Sequence, residues 1–178
     1  MPQAITHILI PLILVGLFRD YFVKNKKIFP LHYVLIAGIA GLIPDLDVAA
    51  YYLLSFFGYT LNEVHRTFSH NIFVPLIFLI LGSLFLGVRN KELGKHKLKI
   101  STILFLTGFG SFMHILLDAI FAGYVMPFYP FDLFSIGLNI ISYAPIAWQD
   151  SIIPSFEAVL LVAWLVYMEL KHKISDFV

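Results

Sequence analysis

Long apolar runs dominate this chain, and they leave its backbone little choice of fold. Segments of roughly 4–23, 29–57, 69–88, 100–123 and 152–170 each reach the about 20 residues that a helix needs to cross a bilayer. In hydrocarbon every backbone N–H and C=O needs a partner inside the protein, and a helix satisfies that need within one segment. Charged residues make up 13% of the chain, against about 25% in soluble domains. Mean hydropathy is +0.88. The expectation is therefore an all-α integral membrane protein, one domain over residues 1–178, built as a bundle of about five transmembrane helices.

The second run is too long for one simple helix and contains Pro44-Asp45-Leu46-Asp47. Proline removes a hydrogen bond and clashes with the preceding turn, so this helix is expected to break there. Broken helices are tolerated at membrane depth where they line a buried or wet cavity. Residues 124–151 carry Tyr124, Phe128, Tyr129, Phe131, Phe134, Tyr143 and Trp148 among three prolines. Aromatics of this density suit the membrane interface, and the segment reads as an interfacial or re-entrant cover.

Basic residues set the expected orientation. Arg19, Lys24, Lys26 and Lys27 follow the first run; Arg89, Lys91, Lys95, Lys97 and Lys99 lie between the third and fourth; Lys171 and Lys173 follow the fifth. Alternating spans put all three clusters on one side, which the positive-inside rule makes cytoplasmic. The expectation is a multi-pass protein of the cytoplasmic membrane, N-terminus outside and C-terminus inside. The first run has no basic residue before it and is expected to be retained rather than cleaved as a signal peptide. Net charge is +1, so no nucleic-acid partner is expected.

Against this apolar background stand His7, Asp45, Asp47, His65, His70, His114 and Asp118. An ionisable group at the bilayer centre costs at least about 2.5–3.5 kcal/mol, so such residues mark function. Counting up from the inner end of the fourth run, His114 lies about 21 Å and Asp118 about 27 Å into a core of about 30 Å. Asp45 lies about 24 Å from position 29. His7 enters about one turn from the other boundary, and His65 and His70 bracket the start of the third run. Five stretches of sequence thus deliver polar residues to one layer, toward the outer face.

All seven are of metal-ligand type, and the chain has no cysteine, so a metal would rest on nitrogen and oxygen. His114 and Asp118 are four apart and share a helix face, as co-ligands or as histidine and orienting carboxylate. The plainer readings are a hydrogen-bonded polar core for this pair, a turn or N-cap role for Asp45 and Asp47, and N-cap of the third helix for Ser69. Arg66 would either neutralise the aspartates or grip a phosphate or carboxylate of a substrate. Glu157, Asp132 and Asp150 are further possible ligands. His32, His96 and His172 fall on the cytoplasmic side and are expected to lie outside the site.

Thr6-His7, Pro44-Asp45-Leu46-Asp47, His65-Arg66-Thr67-Phe68-Ser69-His70 and His114-Ile115-Leu116-Leu117-Asp118, in this order, resemble the YdjM-like family of membrane-bound metal-dependent hydrolases. That family looks distantly related to zinc-dependent phospholipase C. The resemblance covers roughly residues 1–132. It implies a ligand set of His7, Asp45, Asp47, His65, His70, His114 and Asp118 around a divalent transition metal, zinc first. No histidine follows Asp118 until His172, so one or two ions are implied rather than three.

The leading expectation is hydrolysis of a phosphate ester or lipid-linked substrate at the outer leaflet. Metal-activated water would attack, with Asp47 or Asp45 as general base and Arg66 binding substrate charge. The partners are membrane lipid and that substrate. A divalent-metal or proton transporter, or a membrane scaffold with a structural metal, are the alternatives. A transporter would need polar residues down to the cytoplasmic face, and the inner halves of the spans are apolar apart from Ser and Thr.

Overall fold

A computed structural model describes residues 4–87, 92–94 and 97–174. Among these residues seven α-helices carry the chain: α1 (Ala4–Phe22), α2 (Leu31–Ala40), α3 (Leu46–Leu54), α4 (Leu61–Val64), α5 (Phe73–Leu86), α6 (Ile100–Leu117) and α7 (Ile146–His172). A two-residue antiparallel ribbon, β1 (Glu92–Leu93) and β2 (Leu98–Lys99), joins α5 to α6. The architecture is all-helical apart from that ribbon.

Among the described residues, three helices are long and apolar enough to cross a membrane: Ala4–Phe22, Ile100–Phe121 and Ile146–His172. In the second and third runs, where the expected count of about five places the other spans, stand shorter apolar helices, Leu31–Ala40, Leu46–Phe57 and Phe73–Leu86. The second run is divided, and α2, at 10 residues, is about 15 Å long, half a hydrocarbon core. The third run yields only α5, 14 residues or about 21 Å, because Ser69–Ile72 are not helical. Residues 146–151, expected in the aromatic cover, form the first turns of α7 instead.

The expected break at Pro44 is present. The last turns of α2 tighten through Gly41 N–H to Gly38 O, Leu42 N–H to Ile39 O and Ile43 N–H to Ala40 O, and α3 starts two residues after the proline. Gly41 is required there by packing. A Cβ on it would lie 1.9 Å from the carbonyl oxygen of His7 on α1. Gly110 on α6 plays the same part against α2, where a Cβ would lie 2.7 Å from Ala37 O. Small residues permit such close backbone approach, which in lipid replaces the hydrophobic drive available in water.

α6 is the centre of the bundle, packed on α2, α5 and α1, while α7 packs chiefly on α1. Only 11% of the most apolar window of α7 is buried, and Val159, Val162, Val166 and Leu170 point outward. Such an apolar outer surface is what a lipid-facing helix presents.

One end of the bundle gathers basic residues of α1, of the turn after it and of the start of α6, while Arg66 lies in the polar cluster. Arg19 donates from Nε to Phe29 O and from a terminal nitrogen to Asp20. Asp20 also accepts from Lys26 and Tyr167 and lies 2.7 Å from His172 Nε2, tying the end of α1 to the end of α7. Tyr33 accepts the Lys99 N–H, bringing the start of α6 there too. Of the expected basic cluster between the third and fourth runs, Arg89, Lys91 and Lys95 lie outside the described residues, as does His96.

The cover sits at the opposite end. Pro127 O accepts the Ile72 N–H ahead of α5, Ala119 O accepts the Leu138 N–H, and Val125 pairs with Ile136. Phe131 packs edge-on against Phe73.

Gly41→Ala is expected to destabilise the bundle by about 2 kcal/mol or more through backbone overlap. Gly87→Ala, where a Cβ would meet nothing within 4 Å, is expected to be near neutral. Thermal unfolding of the two variants in one detergent checks the contrast.

Candidate metal centre

Each polar residue reaches the cluster because of what its own element does. His7 lies in the first turn of α1 and is 2% exposed. Asp45 and Asp47 straddle the start of α3. Two residues apart on a helix, side chains do not face each other, so the pair divides. Asp45 stands at the N-cap position but makes no cap bond, which leaves its carboxylate available.

Asp47 turns back and is consumed by the next loop. Its Oδ1 lies 3.0 Å from His65 Nδ1, and its Oδ2 accepts from Arg66 N (3.1 Å) and Ser69 Oγ (2.6 Å) and lies 3.1 Å from His70 Nδ1.

That loop is shaped at both ends. Thr60 and Glu63 form a capping box on α4, and the Thr60 backbone N–H holds the Glu63 carboxyl below its ordinary range. Arg66 takes a left-handed backbone, φ 65°, which costs a non-glycine residue about 1–2 kcal/mol. Bonding of its N–H to Asp47 accompanies this turn, and its Nε lies 3.2 Å from Asp118 Oδ2. Ser69 is not the cap of the third helix, contrary to expectation, because its hydroxyl is given to Asp47. Asn71 takes that role, its Oδ1 accepting from Phe73 N and Val74 N.

On α6, His114 and Asp118 share a face as their spacing predicts, with His114 Nε2 3.9 Å from Asp118 Oδ2. Asp118 sits where the α-helix widens into a π-helical turn over Asp118–Ala122, a form of bulge frequent at functional sites. His114 Nδ1 lies 2.6 Å from Gly41 O, and its ring stacks on His7 with centroids 3.7 Å apart.

The protonation pattern follows from these partners. A carbonyl accepts only, so His114 Nδ1 carries the hydrogen and Nε2 presents a lone pair. Ionised Asp47 likewise assigns the His70 hydrogen to Nδ1. The two Nε2 atoms then face each other at 3.1 Å. Two neutral imidazoles cannot bond through two lone pairs. The gap calls for a proton or a cation.

Around it, His114 Nε2 is 3.4 Å and His70 Nε2 3.6 Å from Asp45 Oδ1, and His70 Nε2 is 3.6 Å from Asp118 Oδ2. Donors about 2.0–2.1 Å from a tetrahedral metal stand about 3.4 Å from one another, so these separations fit the edges of a coordination shell.

Three overlapping groups could hold an ion: His7 with Asp45 and His114, Asp45 with His65 and His70, and His70 with His114 and Asp118. Three carboxylates against one guanidinium leave the pocket two negative charges when its imidazoles are neutral, which a divalent cation balances. His7, His70, His114 and Asp118 are buried, and the Asp45 side chain, 31% exposed, marks the accessible flank.

Asp47 belongs to none of the three groups, since both its oxygens are already engaged. Glu157 is buried but bound to Thr6 rather than to the cluster; it lies three turns into α7, deeper than its expected span start implied. Asp132 accepts a turn bond from Phe134 N and Asp150 is exposed on α7; neither joins the cluster. His172 is at the far end with Asp20. Sequence reasoning did not find the Gly41 carbonyl, Asn71 or the Thr6–Glu157 pair. A backbone acceptor leaves no mark in side-chain types, and Thr6 lies 151 positions from Glu157.

A family described as YdjM inner membrane protein matches residues 1–174 of the chain. No curated protein and no solved structure matches it.

Asp47→Ala would leave the donors on His65, Arg66, Ser69 and His70 without their acceptor, and a loss of about 2 kcal/mol or more is expected. Asp47→Asn, which keeps one carbonyl oxygen, should lose less. Ser69→Ala, removing one bond of four, should lose least. Unfolding temperatures of the three in detergent check the order.

Proposed function

We propose that this chain, which belongs to the YdjM inner membrane protein family, is a membrane-embedded metal-dependent hydrolase of a lipid or lipid-linked phosphate ester. The observation that carries the reading is the meeting of the His70 and His114 lone pairs at 3.1 Å beside the Asp45 and Asp118 carboxylates. His70, His114, Asp45 and Asp118 would hold a divalent metal, with His7 and His65 at its edges. Nitrogen and oxygen donors suit zinc first and manganese or iron next. When bound, the metal supplies Lewis acidity toward a phosphoryl oxygen and makes water acidic enough to attack near neutral pH.

The chain's own groups have separate tasks. Asp47 orients His70 and His65, the carboxylate–histidine arrangement that supports metal ligands elsewhere. With Asp47 saturated, the carboxylate left to serve as general base is that of Asp45, the partly exposed one of the cluster, through the oxygen that the metal would not take. Arg66, partly exposed beside Asp118, is placed to receive an anionic phosphate oxygen through its planar fork. Apart from Arg66, the basic residues with described contacts lie at the opposite end of the bundle, so the positive-inside rule turns the centre toward the outer leaflet, with the N-terminus outside. A site at that depth, beside an aromatic cover, favours a substrate that stays in the membrane.

Elemental analysis of detergent-purified protein tests the reading. About one or more equivalents of a transition metal are expected in wild type, lost in a still-folded His114→Ala, Asp118→Ala double variant. Phospholipid or lipid-phosphate hydrolysis should be lost with it, while Arg66→Ala should keep the metal and raise KM. No metal after reconstitution with zinc or manganese would overturn the proposal.

A further inference from the structure

Glu157 is a carboxylate 3% exposed in the middle of a helix that otherwise faces outward, and the centre described above does not use it. Its Oε1 accepts from Thr6 Oγ1 at 2.7 Å and from Thr6 N at 3.0 Å. Thr6 is fully buried, and its N–H belongs to the first turn of α1, where backbone donors have no partner within the helix. A carboxylate there also meets the positive end of the helix dipole. A side chain from α7 thus performs in trans the task of an N-terminal cap.

The residue that follows Thr6 is His7, whose ring stacks on His114 and whose Nε2 lies 3.5 Å from Asp118 Oδ1. His7 Nδ1 is buried and has no hydrogen-bond partner among the described residues. The other central histidines are oriented through that nitrogen, His114 by Gly41 O and His70 by Asp47. Without such a bond, the His7 ring depends on its backbone to bring it onto the His114 stack and toward Asp118. Its own carbonyl is wedged against Gly41 on one side, and Thr6 is clamped by Glu157 on the other.

We infer that Glu157 is a positioning residue for the metal centre, acting through Thr6 to set the His7 ring. The inference rests on the metal reading given above. Glu157 holds no ion itself: its effect passes entirely through His7. α7, which packs chiefly on α1, acquires in this way a direct influence on the centre.

The test is metal affinity, by chelator competition, together with the visible absorption of cobalt-loaded protein in detergent. Wild type, Glu157→Gln, Glu157→Ala, Thr6→Ser and His7→Ala are compared, with Glu157→Ala also made in the His7→Ala background. Removal of a partner that orients a ligand weakens metal binding about 10–100-fold. Glu157→Ala is expected to lose about tenfold and to shift the cobalt spectrum toward that of His7→Ala. Glu157→Gln, whose amide oxygen can accept both bonds, and Thr6→Ser, which keeps the hydroxyl, should stay within about threefold of wild type.

With His7 already removed, Glu157→Ala should lose nothing more. A further loss in that background, or loss of metal in Glu157→Gln, would overturn the positioning role, the latter making Glu157 a ligand. If Glu157→Ala does not fold, the Gln and Ser variants and the His7→Ala spectrum still decide it. Wild type that binds no cobalt or zinc would instead sink the metal reading, and this inference with it.

Discussion

The backbone of Gly41 is where three helices touch. Its missing Cβ makes room for the His7 carbonyl on α1, and its own carbonyl takes the His114 Nδ1 hydrogen from α6. That contact is possible only because α2 has ended: inside a regular helix the Gly41 carbonyl would be taken by a donor four residues on. The last turn has tightened to bonds three residues apart, and in that pattern the next donor to Gly41 O would be Pro44, which has no N–H, so the carbonyl is left free. One helix break therefore draws α1, α2 and α6 together, fixes the tautomer of His114, and starts α3 at the right place to supply Asp45 and Asp47.

Around that junction the polar groups are ordered by depth. The histidine Nε2 atoms and two carboxylates face one another, and behind them Asp47, Ser69 and the Arg66 N–H hold the loop and the His70 ring still. In a low-dielectric setting a partly satisfied polar cluster is worse than none, which accounts for the crowding of donors on Asp47. The strained Arg66 backbone belongs to the same arrangement. It is the turn that lets one residue bond Asp47 with its main chain and reach Asp118 with its guanidinium. The helices are shortened for the same reason: α5 begins late so that Ser69 and His70 can turn inward.

α7 stands apart from this core. It is the longest and least buried of the spanning helices, yet it grips α1 by polar contacts near both ends, Glu157 to Thr6 and Tyr167 and His172 to Asp20, with Trp164 against Gly16 between them. Between lipid-facing helices, such hydrogen bonds and close contacts at small residues are the available glue, since burial of apolar surface gains little in hydrocarbon.

The sequence by itself determined the helical, membrane-borne character of the chain, because apolar length is a local property. It determined the break at Pro44, because proline chemistry is local too. It also brought His7, Asp45, His70, His114 and Asp118 to one layer, since rise per residue converts position into depth, and it put His114 and Asp118 on one face through their spacing of four. Only the tertiary structure decided the rest. Asp45 and Asp47 look alike in sequence, and which one lies at the His70–His114 gap and which behind it depends on where the 65–70 loop folds back. Ser69 could cap a helix or bond a carboxylate, and the choice fell to whichever acceptor lay nearest in space. The Gly41 carbonyl and the Thr6–Glu157 pair are long-range contacts, set by how close two backbones come, and no residue pattern along one chain measures that distance.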